Sequence, residues 1–163
     1  MKAIGIIAEY NPFHNGHLYH LNKIKELYPE HIIVLVMSGN FSQRGDVSII
    51  NKWKKTEIAK ELGIDLIIEL PFPFATQSAD YFSYGAITIL EYLQVEKVIF
   101  GSESDDVDTL KNLVSTILYN KKYDDLVKEY LSLGNNYPSS ISKALYNLTN
   151  IKINNSNDLL GIS

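Results

Sequence analysis

An uninterrupted apolar run, Ala3-Ile-Gly-Ile-Ile-Ala8, ends abruptly at Glu9 and Tyr10, and a turn-rich segment with Asn11, Pro12 and Asn15 follows. Hydrophobicity that is continuous rather than alternating predicts a strand covered on both faces. Three further short runs, residues 32–37, 66–70 and 97–100, read the same way. The stretches between them, 16–27, 52–62 and 78–93, read as helices; in the first, Leu18, Leu21, Ile24 and Leu27 recur near helical spacing. Ser38-Gly39-Asn40, Gly63, Pro71 with Pro73, and Gly101 punctuate the pattern. Four buried runs alternating with helices predict a Rossmann-like, doubly wound α/β fold with a parallel sheet and right-handed crossovers. Ligands bind such sheets at the carboxyl ends of the strands. The polar loops 9–17, 38–44 and 101–106 all fall on that edge.

The pattern changes near residue 105. Residues 106–118, 124–133 and 139–148 read as helices, with a turn at Gly134-Asn135-Asn136 and Pro138. The expected division is a Rossmann-like domain over 1–104 and a small helical extension over 105–163. The closing stretch 150–163 is rich in Asn and Ser, and no final element is expected there.

Candidate chemistry concentrates at the first strand-to-helix junction. His14 and His17 stand three apart with Gly16 between them, directly after a buried strand. Imidazoles at a helix start can donate to phosphate oxygens, and the free backbone N–H groups there add to the positive end. Gly16 would let a backbone or a ring approach closely. The arrangement therefore suits a triphosphate held for in-line attack, with charge on the leaving pyrophosphate neutralised. His20 extends the row. Its i, i+3, i+6 spacing does not bring three rings onto one ion, so no metal site is assigned. His31, at a strand start, reads as structural.

Length and composition narrow the class. The chain has 163 residues, 45% of them hydrophobic, which fits one core-forming domain. A net charge of −4 gives no global basic field for nucleic acid. The absence of cysteine excludes disulfides and thiolate metal sites. No segment nears the roughly 20 apolar residues of a membrane span, and the N-terminal run is too short for a signal peptide. A soluble, cytoplasmic protein is expected.

Other residues carry two readings each. Arg44 can pair bidentately with a phosphate or a carboxylate, or be a surface arginine. Lys52 can contact phosphate or RNA, or share a solvated helix face with Lys54 and Lys55. Glu69, in an apolar strand, and Glu9, at a strand end, need a partner or exposure. Glu103, Asp105, Asp106 and Asp108 raise a Mg²⁺ site; the alternative is an acidic helix N-terminus set against the helix dipole. Tyr81, Phe82, Tyr84 and Tyr92 on one helix allow stacking on RNA bases, but core and domain packing is the expected role.

The segment Ala8-Glu-Tyr-Asn-Pro-Phe-His-Asn-Gly-His17 resembles the opening motif of the bacterial tRNA(Met) cytidine acetate ligases, a branch of the HIGH-motif nucleotidyltransferase superfamily. His14-Asn15-Gly16-His17 is the counterpart of the HIGH signature. The resemblance continues in order through Met37-Ser-Gly-Asn-Phe-Ser-Gln-Arg-Gly45, Lys52-Trp53, Asp65-Leu-Ile-Ile-Glu-Leu-Pro71, Gln77-Ser-Ala-Asp80, Phe100-Gly-Ser-Glu103 and Asn157-Asp-Leu-Leu-Gly161. It thus spans nearly the whole chain.

The resemblance implies a HIGH-superfamily fold and ATP-dependent activation of acetate to acetyl-adenylate. Acetyl transfer to N4 of the wobble cytidine of elongator tRNA(Met) would follow. It implies ATP binding by Ile7, Ala8, Glu9, Tyr10, Asn11, Pro12, Phe13, His14, Asn15, Gly16, His17, Leu18, Tyr19 and His20, with Gly101 and Asn157 as further nucleotide contacts. His14, His17 and Arg44 would be catalytic. Ser38, Gly39, Asn40, Gln43, Arg44 and Lys52 would shape the acetate or phosphate pocket, and Mg²⁺ would arrive with ATP. Family members are usually about twice as long or more, with a downstream Ser/Thr-rich loop followed by Arg. Ser139-Ser140-Ile-Ser142-Lys143 is superficially similar but precedes Asn157. An N-terminal portion is expected, with full catalysis in question. Two other functions stay open: a small-molecule adenylyltransferase and a non-catalytic ATP-binding module.

Overall fold

The structure is a computed structural model that describes residues 2–102, 104–153 and 155–163. It divides into two compact units between Phe100 and Gly101.

The first unit alternates strand and helix. In chain order it contains β1 (Ala3–Ala8), α1 (Asn15–Leu27), β2 (Ile32–Ser38), α2 (Lys52–Glu61), β3 (Leu66–Leu70), α3 (Phe72–Ala75), α4 (Ala79–Tyr92) and β4 (Lys97–Val98). The strands form one parallel sheet in the order β3-β2-β1-β4. Ala3 pairs with Ile32 and Ala8 with Met37, so β1 and β2 end together. The chain runs outward from β1 through β2 to β3 and returns to the other side of β1 as β4. That reversal puts a topological switch point beside the carboxyl end of β1. Ile4, Ile6, Leu35 and Met37 are buried in the sheet, and Leu21 and Ile24 of α1 close over it.

Two details differ from the hydrophobic pattern. β4 is two residues long, not four: Ile99 still donates to Gly5 O at 2.9 Å, but Phe100 leaves the sheet and is exposed. Pro71 and Pro73 do more than end β3. Pro71 caps the short helix α3 and Pro73 occupies its first turn, where a missing N–H costs nothing.

The second unit is helical, with α5 (Val107–Tyr119), α6 (Tyr123–Ser132), α7 (Tyr137–Thr149) and α8 (Ser156–Gly161). Leu110, Leu113, Val127, Ala144, Leu145, Ile153 and Ile162 form its core. Helix α8 corrects the expectation of no closing element: the Asn/Ser-rich stretch carries Leu159 and Ile162, which join that core. Asp106 caps α5 by accepting from the Thr109 N–H at 3.0 Å and its hydroxyl at 2.7 Å, and these bonds lower its carboxyl pKa. Its geometry is that of a helix cap; Glu103 lies outside the described residues.

Candidate functional site

Helix α1 starts with a reciprocal pair of histidine caps. His14 is the N-cap, in an extended conformation, and its Nδ1 accepts from the Gly16 N–H at 3.1 Å. In return, the His14 N–H donates to Nδ1 of His17 at 3.3 Å. This is a capping box in which imidazoles replace the usual hydroxyl and carboxylate. The two rings stack at 3.7 Å between centroids, tilted by 25°. With both Nδ1 atoms accepting, each neutral ring carries its proton on Nε2. The pair therefore presents two N–H donors at a helix N-terminus, where the dipole also favours an anion. Gly16 makes the stack possible: a Cβ there would lie 2.9 Å from the His14 ring.

Aromatic packing holds His17. Tyr10 lies 4.8 Å and Phe13 5.4 Å from its ring. Tyr10 is buried with φ of 47°, and burial pushes its hydroxyl up to about 12, so it stays protonated. The Asn11–Pro12 peptide is cis. Burial first, then the nearby His14 and His20, lower His17 to about 4. His17 is thus a neutral donor throughout the physiological range. His20 is also lowered by burial, and its Nε2 is buried without a hydrogen-bond partner. Among the described residues no group of His, Asp or Glu is arranged to hold a metal ion.

The His17 environment makes stability pH-dependent. The native ring titrates at about 4, against an ordinary value of 6.5. As pH falls through that window, the unfolded state binds the proton first and stability drops; above it the contribution is fully present. Melting temperatures from pH 7 to 4 should fall more steeply for the wild type than for His17→Gln. Equal slopes would show that the ring is not held neutral.

The loops after β1 and β2 are tied together. The Gln43 N–H donates to Glu9 Oε1, and the Ile49 N–H donates to Asn11 Oδ1 at 2.8 Å. Residues 41–47 form a tight return, with Phe41 bridged to Val47 and Arg44 exposed near its tip. Asn40 Oδ1 accepts from the Lys52 N–H at the start of α2. Lys52 pairs with Glu69 at 2.6 Å, which supplies the partner that Glu69 needed. Glu69, Gly39, Asn40, Phe41, Leu70, Phe72 and Ala75 line a cavity of about 140 Å³ at the ends of β2 and β3. A Cβ on Gly39 would meet the Glu69 carboxylate, so a larger residue there would push that side chain aside.

Of the expected pocket residues, Gly39 and Asn40 reach this cavity directly and Lys52 reaches it through Glu69. Ser38 is fully buried; Gln43 and Arg44 do not line the cavity. Ile7, Ala8, Asn15, Leu18 and Tyr19 follow the β1–α1 path, with Tyr19 exposed. Pro12 is exposed in the loop between them. Gly101 and Asn157 lie in the second unit, both exposed. There Asp158, next to Asn157, accepts from the Ser102 hydroxyl at 2.6 Å and the Ser104 N–H at 3.2 Å. Burial acts against its charge, but these bonds outweigh it and lower its pKa. His31 sits just before β2, with its Nε2 3.3 Å from Glu96 Oε2.

Two expectations are corrected. Lys55 does not share a solvated face with Lys54: it is 1% exposed, and its ammonium points at backbone carbonyls. Lysine on a charged helix gives no warning of this. The signal was positional, because Lys55, Ala59 and Leu62 fall at i, i+4 and i+7, the core-facing stripe of α2. Core packing explains Phe82 but not Tyr81, Tyr84 and Tyr92, which are 61%, 65% and 85% exposed.

Known proteins are similar to this chain in sequence and in fold. The HIGH Nucleotidyl Transferase family model matches residues 1–163. The tRNA(Met) cytidine acetate ligase of Caldicellulosiruptor bescii is 47% identical, covering 99% of this chain and 41% of that protein. The ligase of that name from a Geobacillus species is 44% identical over 100% of this chain and 41% of its own length. The crystal structure of Thermotoga maritima TmcAL bound with alpha-thio ATP matches with a TM-score of 0.86 at 39% identity, covering 99% of this chain and 42% of that one. The chain therefore spans about two-fifths of the length of the relatives it matches. With a Rossmann-like parallel sheet, a histidine-capped helix after its first strand and a family match along all 163 residues, the chain belongs to the HIGH nucleotidyl transferase family.

Proposed function

We propose that this chain carries the adenylate-forming part of a tRNA(Met) cytidine acetate ligase. It binds ATP at the carboxyl edge of its sheet and activates acetate as acetyl-adenylate. The acetyl group then passes to N4 of the wobble cytidine of elongator tRNA(Met), in the cytoplasm. The reciprocal cap of His14 and His17 carries the reading: two imidazoles whose Nδ1 atoms are used in the cap, and a helix N-terminus at one point, suit a phosphate chain. Residues 7–20 are the proposed ATP segment, and Gly101 and Asn157 are proposed nucleotide contacts by family resemblance. Among the described residues beyond its chain neighbours, no atom lies within 4 Å of where a Cβ on Gly101 would sit. Arg44, exposed in the 41–47 return, is the proposed cation for the phosphates, and the cavity beside Gly39 and Asn40 the proposed site for the small acid. Mg²⁺ arrives on the ATP phosphates rather than in a protein cage.

Exchange of labelled pyrophosphate into ATP tests the reading. Exchange that requires acetate supports it. Exchange that requires a mononucleotide or pantetheine acceptor assigns a small-molecule adenylyltransferase instead. ATP binding in calorimetry with no exchange under any condition leaves a binding module.

A further inference from the structure

Lys55 places an ammonium group inside the first unit. Its Nζ donates to Ser38 O at 2.8 Å and Glu9 O at 3.0 Å, and lies 3.5 Å from Ser48 Oγ. Ser38 ends β2, Glu9 is the first residue beyond β1, and Ser48 follows the 41–47 return. One cation thus joins three segments of the sheet's carboxyl edge, with three acceptors for three donors. A buried charge is tolerated only when saturated in this way.

The position of those carbonyls matters. Strand-end carbonyls direct partial negative charge outward at the edge where a polyanion would bind. An ammonium seated on two of them cancels that charge. It also fixes the loop that leads into His14 and His17 against the loop that carries Arg44. The Glu9–Gln43 and Asn11–Ile49 bonds tie the same two loops, so Lys55 completes an existing set.

We propose that Lys55 is a positioning residue of the nucleotide site, holding the histidine-bearing loop and the arginine-bearing loop in register and offsetting carbonyl charge beneath the bound phosphates. The proposal rests on the ATP-binding part of the reading above and not on acetate. The charged groups facing the ammonium are Glu9, from the β1 loop, and Glu69, from β3; both favour its charge. Burial is the larger influence and lowers its pKa. Lys52, on the same helix, is paired with Glu69.

ATP affinity measured by calorimetry without acetate, alongside thermal melting, tests this. Wild-type affinity should weaken as pH rises from 7.5 toward 10 while the protein remains folded. Lys55→Met should weaken ATP binding by about tenfold at pH 7.5. Lys55→Arg, which keeps its charge at every pH used, should stay near wild type and lose the alkaline decline. A folded Lys55→Met that binds ATP like the wild type overturns the proposal, as do parallel pH curves for wild type and Lys55→Arg. Should neither variant fold, a wild-type affinity that stays flat up to the onset of alkaline unfolding overturns it. Wild-type ATP binding without acetate-dependent exchange would remove the acetate assignment and leave the Lys55 test intact. No ATP binding by the wild type would remove both.

Discussion

Alanine at His14 or His17 is expected to reduce acetate-dependent pyrophosphate exchange by about 100-fold or more, the usual scale for losing one preorganised donor to developing phosphate charge. Alanine alone is ambiguous, because each ring also caps α1. Losing a cap costs about 1 kcal/mol of stability, so reduced exchange could follow from a frayed helix. The double variant His14→Asn with His17→Gln separates the two roles. Asparagine is among the best N-caps, and glutamine three residues on can reach back to the N-cap N–H, which rebuilds a conventional capping box. Its melting temperature should match the wild type or exceed it, while exchange stays at the alanine level. Restored exchange in that variant would show that the histidines only cap.

Strands β1 to β3 were easy to read because each is a run of mostly apolar residues. Residues 3–8 and 66–70 form strands with the expected boundaries, since Glu9 and Pro71 stop them chemically. The histidine pair was legible as a motif but not as a geometry. Spacing alone places two rings one helical turn apart. It does not say that each Nδ1 accepts a backbone N–H of the cap, which leaves Nε2 as the free ring nitrogen. That result depends on His14 adopting an extended backbone while His17 is already helical.

The unread parts have a common cause: burial imposed by tertiary packing on residues whose type signals exposure, or the reverse. Lys55 is buried because the α2 stripe turns it toward two strand ends, and hydropathy reads it as solvated. Tyr81, Tyr84 and Tyr92 are exposed because α4 turns Phe82, Ala86 and Leu90 inward instead. Helix α8 was hidden by polar composition, although Leu159 within it and Ile162 at its C-cap pack on the core of the second unit.

Leu35→Ala should be the most damaging single truncation in the first unit, at about 3–4 kcal/mol in urea unfolding with an unchanged slope. Leu35 is fully buried in β2, opposite Ile6 on one side and Ile67 on the other. β2 is flanked by strands on both sides and lies between them in a parallel sheet, so surrounding atoms cannot collapse into the space without moving a ladder. The loss would be a large fraction of a typical 5–15 kcal/mol total and lower melting by about 10 °C. Ile67→Ala, on edge strand β3 and only half-buried, should cost about half as much or less. The contrast bears on function because β2 ends in the Ser38 carbonyl that Lys55 holds, and Gly39 of the cavity wall follows directly. If packing of β2 sets that end, Leu35→Ala should weaken ATP binding at temperatures where it is still folded, and Ile67→Ala should not. Equal costs at the two positions would mean that the sheet centre is not the rigid platform on which the site depends.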